Sequence, residues 1–98
     1  MPSYRVTLSI GTLRPGVRPD QVLPAAAESA AQFTTVEARD LDVVRGEPRL
    51  VVRYEGADDT VAVRIAAVVE SSVGVLADVL DGRVTRRDGG AWTLVGSV

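Results

Sequence analysis

The chain has 98 residues, of which 46% are hydrophobic and 24% charged, and a formal net charge of −2. That is enough for one domain, residues 1–98, too apolar for a disordered chain and too acidic for a general nucleic-acid binder. It contains no Cys, His, Lys or Asn, which removes disulfides, thiolate zinc and iron–sulfur sites, Ser–His–Asp and Cys–His catalysis, Schiff-base chemistry and the P-loop lysine.

Tyr4 to Leu13 alternates, with Tyr4, Val6, Leu8 and Ile10 on one face and Arg5, Thr7 and Ser9 on the other. This predicts a half-buried strand that ends at Gly11 and Arg14-Pro15-Gly16. A first helix is expected after Asp20, starting near residue 23 because Pro24 is tolerated in a first turn. Val22, Ala26, Ala30 and Phe33 have helical spacing, and the alanines suit close packing on a sheet.

Glu37 to Arg45 predicts a second strand, with Leu41 and Val43 on the core side and Asp40 and Asp42 opposite; a slip of one residue would exchange them. Arg45-Gly46-Glu47-Pro48 is turn chemistry, and the strand from Arg49 to Glu55 follows, closing an antiparallel hairpin. Leu50, Val52 and Tyr54 share one of its faces; Val51, Arg53 and Glu55 share the other.

Asp58 or Asp59 caps a second helix, in which Val61, Ile65, Val68, Val69, Ser72, Val75, Leu76 and Val79 follow the 3.6-residue period and Gly82 closes the end. Arg83 to Arg87 and Ala91 to Val95 form a last hairpin around Asp88-Gly89-Gly90, with Trp92 the largest apolar side chain. The order β-α-β-β-α-β-β predicts an α+β, ferredoxin-like βαββαβ sandwich with an extra C-terminal strand: an antiparallel sheet with two helices on one face.

The eleven basic residues are all Arg. The absence of Lys and Asn beside many Val, Ala and Arg points to a high-GC bacterial genome or its phage. No signal peptide is read at the start, and Arg64, Glu70 and Asp78 interrupt the longest apolar stretch, so neither a membrane span nor a membrane partner is expected and the location is cytoplasmic.

The open sheet face holds Arg5, Thr7, Ser9, Val51 and Arg53, a small neutral patch between charges that suits sheet-on-sheet pairing of two copies. It lacks the stacking aromatics of an RNA-recognition motif. Asp40 and Asp42, on one face about 7 Å apart, have no further ligands at loop spacing, so no metal and no cofactor is expected. Arg83, Arg86 and Arg87 form a small basic cluster flanked by Asp81 and Asp88. Tyr4, Tyr54, Phe33 and Trp92 are expected in the core.

A strand, Arg14-Pro15-Gly16 and then a helix resembles ACT domains, small ligand-binding regulatory modules, although Leu13 stands where that family usually has an acidic residue. The resemblance implies a ligand near Gly11, Arg14 and Gly16, with the arginine on an anionic group and glycine allowing close approach. The function expected is a non-catalytic, cytoplasmic, oligomerising module that binds a small anionic ligand or a protein partner, with a homodimer as its assembly. The alternatives are an enzyme resembling the dimeric α/β-barrel proteins, with an apolar pocket using Tyr4, Tyr54 or Trp92, and a structural or accessory protein, such as a phage particle component or an inhibitor of another protein.

Overall fold

A computed structural model describes residues 1–98. Its elements are β1 (Ser3–Leu13), a 3-10 turn (Pro19–Gln21), α1 (Val22–Ala31), β2 (Val36–Val44), β3 (Glu47–Glu55), α2 (Asp59–Gly74), β4 (Ala77–Asp88) and β5 (Ala91–Ser97). The five strands form one sheet in the order β2-β3-β1-β4-β5, and every neighbouring pair is antiparallel. The architecture is α+β. α1 packs over β2 and β3, α2 over β4, β5 and β1, and the helices touch each other. No helix is long and apolar enough to cross a membrane.

The sheet supplies bulk to the core and the helices supply closeness. Tyr4, Val6, Leu8, Leu50, Val52, Tyr54 and Val84 point from β1, β3 and β4 into a cluster of 17 buried residues. The helices answer with Ala26, Ala30, Ala62, Ala66, Val69 and Val73, all with no exposed surface. Side chains this small let helix backbones approach the sheet, and α2, rich in β-branched residues, owes its stability to that burial more than to propensity. Tyr4 and Tyr54 are paired across β1 and β3 with their rings stacked 6.2 Å apart. Between the helices, Ser29 and Ser72 share a hydrogen bond of 2.9 Å.

Asp58 caps α2, its carboxylate accepting from the Val61 amide. Arg45 and Gly46, both at positive φ, form the two-residue turn of the β2–β3 hairpin. Such a turn matches the twist of the flanking strands, at a cost for the non-glycine residue.

Four local expectations are corrected. Gly11 does not end β1, which runs on to Leu13 and pairs there with Ala77. α2 stops at Gly74, and Val75 and Leu76 form the turn into β4. Val79 therefore lies in a strand opposite Ile10. Gly82 is no helix terminator: it sits inside β4 opposite Leu8, with Val98 packed over it. Phe33, beyond the end of α1, is 59% exposed and not part of the core.

Gly56 is tightly enclosed. A methyl group there would stand 2.9 Å from Tyr4 Cε1 and 3.2 Å from Ala62 Cβ, whereas one on Gly74 would meet nothing within 4 Å. Gly56→Ala is expected to cost about 1–3 kcal/mol by overpacking, and Gly74→Ala to gain about 0.5–1 kcal/mol in helix propensity. Urea unfolding of both measures this; a Gly56→Ala midpoint equal to that of the parent would mean that Tyr4 is not pinned.

Candidate functional site

No helix covers the second face of the sheet. The ladders place Arg5, Thr7 and Ser9 on this face of β1 beside Arg53, Val51 and Arg49 of β3. On the other side of β1 they place Thr85, Arg83 and Asp81 of β4. At the edges, β2 contributes Ala38, Asp40 and Asp42, opposite Arg53, Val51 and Arg49, and β5 contributes Trp92 and Leu94, opposite Arg87 and Thr85. The five residues singled out for this face in the sequence, Arg5, Thr7, Ser9, Val51 and Arg53, thus stand side by side on β1 and β3.

Trp92, like Phe33, departs from its expected place. It was expected in the core; it lies half-buried on the open face, covered by arginines. The guanidinium carbon of Arg5 is 4.0 Å from its ring centre, and those of Arg53 and Arg87 are 5.3 and 5.4 Å away. Three cations on one indole are held by cation–π attraction, about 0.5–1 kcal/mol each where exposed. Arg53 also donates to Glu37 at 3.0 Å. Arg5 and Arg87 have no carboxylate within 4.0 Å. The two-residue Gly89-Gly90 turn was the available signal, because it fixes Arg87 opposite Trp92.

Charge is unevenly spread over this face. The β2–β3 half carries Glu37, Asp40, Asp42, Glu47 and Glu55 against Arg49 and Arg53, with Arg39 at the wall of its groove. The half formed by β1, β4 and β5 carries Arg5, Arg83 and Arg87 against Asp81 alone. A groove of about 320 Å³ crosses the first half and reaches Arg5 and Thr7. On its wall, Arg49 Nε is buried with no hydrogen-bond partner, its nearest carboxylate, Glu47, being 3.8 Å away.

The Arg14 loop is organised differently. Arg14 pairs with Asp78 and donates to the carbonyl of Gly74 at the end of α2, while its amide donates to Leu76 O at 2.8 Å. Gly16 sits at φ 81° in an exposed turn, and Gly11 lies against Leu80 and Asp78. The three residues thus line the seam between β1 and the α2–β4 turn, with the guanidinium paired to Asp78 and its side chain 45% exposed.

The basic cluster on the last hairpin is also dispersed. Arg83 pairs with Asp81 and Arg87 covers Trp92, while Arg86 turns to the helix side. There it joins Asp88 at 3.0 Å and Asp59 at 2.7 Å, and Tyr4 Oη donates to Asp59 at 2.7 Å. These bonds from Tyr4 and Arg86 hold the Asp59 carboxyl below the usual carboxylate range, and bonds from Arg86 and Thr93 do the same for Asp88. Burial, with the Asp59 bond, pushes Tyr4 up to about 12; burial raises Tyr54 as well, and its hydroxyl donates to Ala62 O at 2.7 Å.

Tyr4, Tyr54 and Trp92 do not converge on one pocket. The two tyrosines fill the space under the helices, and Trp92 lies on the opposite face of the sheet. Asp40 and Asp42 face the groove, with the Asp40 carboxylate accepting from the Leu41 amide. The chain matches no protein-family model, and comparison with curated proteins and with solved structures finds no significant match.

Both tyrosines are harder to ionise in the fold than in the unfolded chain, so the stability they contribute is complete below pH about 10 and is lost as pH rises through their folded values. Asp59 and Asp88 act in the opposite sense, their contribution being present above pH about 4 and lost as pH falls through their lowered values. Tyrosinate absorbance of the folded protein is therefore expected to stay flat through pH 10 and to rise near 12, together with loss of circular dichroism. A tyrosine titrating near pH 10 with the fold intact would contradict the Tyr4–Asp59 geometry.

Proposed function

We propose that this chain is a non-catalytic, oligomerising binding module of ferredoxin-like architecture, with β5 as an added edge strand, that works through the uncovered face of its sheet. The strand order β2-β3-β1-β4-β5, with a helix after β1 and another after β3, supports the fold reading. The observation that carries the functional reading is Trp92, the only tryptophan, held on a face that no helix covers by three arginines, two of them without a carboxylate. Tryptophan and arginine are the side chains most often found as anchors at the centre of protein interfaces. Thr7 and Val51 beside them, with Ser9 already covered between its neighbours, give a small, low-relief surface on which another sheet can lie. The partner is a protein chain, in the first instance another copy, and the location proposed is cytoplasmic.

A small anionic ligand is the second reading, and the buried, unpartnered Nε of Arg49 beside the groove favours it. Gly11, Arg14 and Gly16 are a poorer seat for such a ligand, because Arg14 is already paired with the Asp78 carboxylate and donates to Gly74 O. An enzymatic pocket built on the aromatics is weakened by their division between the two sides of the sheet.

Native mass spectrometry of the protein purified without added ligand tests both readings. A dimer or higher oligomer is expected, and Trp92→Ala is expected to weaken it tenfold or more. Extra mass retained on the oligomer would support the ligand; a bare monomer at micromolar concentration would overturn self-association.

A further inference from the structure

The open face is self-complementary in one orientation only, and we infer that it binds a second copy of this chain about a two-fold axis running along β1. This inference rests on the reading of the open face as an oligomer contact and specifies its geometry. β1 is the middle strand of five, with the acidic β2–β3 half on one side and the basic β4–β5 half on the other. Two sheets packed face to face can be related by an axis along the strands or by one across them. The axis along the strands turns each copy's acidic half onto the other's basic half. The axis across them sets acidic on acidic and basic on basic, an arrangement opposed by like-charge repulsion.

The residues on the axis suit close approach. Thr7 is small, uncharged and partly exposed, and Ser9 is small and already covered within the monomer. Arg5, the charge on β1, stacks on the Trp92 ring with its guanidinium carbon 4.0 Å from the ring centre, and since Arg53 of β3 is 5.3 Å from the same ring, the indole reaches inward over β4 toward the axis. Off the axis, Arg49, Ser9 and Asp81 form a single row across β3, β1 and β4. Rotation about β1 exchanges the two ends of that row, so Arg49 of one copy meets Asp81 of the other. The Arg49 guanidinium, whose buried Nε makes no hydrogen bond and whose carboxylate neighbour within the monomer, Glu47, stands 3.8 Å away, thereby gains a second carboxylate on its outer side. Five strands at about 4.8 Å spacing and seven or eight residues of length at about 3.3 Å give a footprint of roughly 500 Å² per copy. With side-chain relief that lies at the small end of specific interfaces, which makes a dimer of modest affinity sensitive to salt.

The test is a charge-reversal series read by native mass spectrometry and light scattering at fixed protein concentration and low salt. One variant reverses the basic half, R83E with R87E; a second reverses the acidic half, D40R with D42R. All four positions are exposed, and far-UV circular dichroism checks that each variant folds. Each is expected to lose homodimer affinity at least tenfold, the equimolar mixture to form a heterodimer, and the variant carrying all four changes to recover the homodimer. Variants that dimerise as the parent does would overturn the inference and transfer the contact to another surface, such as the β2 or β5 edge, leaving self-association intact. Failure of both the mixture and the fourfold variant to pair would overturn the axis. A monomeric parent would remove the inference together with the reading it rests on.

Discussion

β1 is hydrogen-bonded along both of its edges, to β3 from Ser3 to Ser9 and to β4 from Tyr4 to Leu13. Its alternation is therefore imposed on the whole sheet. Tyr4, Val6 and Leu8 face the helices and sink into the core, so their partners Tyr54, Val52, Leu50 and Val84 must do the same. Arg5, Thr7 and Ser9 are thereby committed to the other face, and with them the polar character of everything that lines up beside them. A slip of one residue in β1 would bury Arg5 and expose Tyr4. The proposed binding surface is in this sense the complement of the core: the residues left over when the apolar set is buried.

Strands were legible where one side of the chain is buried and the other is not. β1 and β3 alternate so regularly that their faces, including the five open-face residues, follow from the sequence alone. The α2–β4 boundary was not legible, because Val75, Leu76 and Val79 satisfy the helical period and the strand period equally well over so short a run. What decides there is tertiary: Leu76 O accepts from Arg14, and Ala77 and Val79 find partners in Leu13 and Ile10. The helix ends where β1 begins to offer a ladder. Gly82 misled for a related reason, since its missing side chain serves the packing of Leu8 and Val98 rather than a turn.

The candidate site divides in the same manner. Arg5 and Arg53 could be placed by periodicity, but the indole that gathers them lies two strands from Arg5 and could be found only by carrying the register across β4. Periodicity is a property of one strand, and a site on a sheet belongs to several. The Arg14 loop shows the converse: its tripeptide is local, but the position of its arginine is set by long-range contacts, an ion pair and a helix-end carbonyl. With no lysine in the chain, every cation is a planar fork that can stack as well as pair. That freedom lets Arg5 and Arg87 rest on an aromatic ring without a carboxylate beside them.

The central place of β1 also has a consequence for biosynthesis. Both of its partners lie later in the chain, β3 beyond α1 and β2, and β4 beyond α2. At about 5–20 residues per second of translation, β1 emerges from the ribosome seconds before either partner strand does. Throughout that interval the segment bearing Tyr4, Val6, Leu8 and Ile10 has no partner for its ladder and no core to enter. The nascent chain is thus at its most association-prone before β3 arrives, and the alternating Arg5, Thr7 and Ser9 keep that segment wetted while it waits.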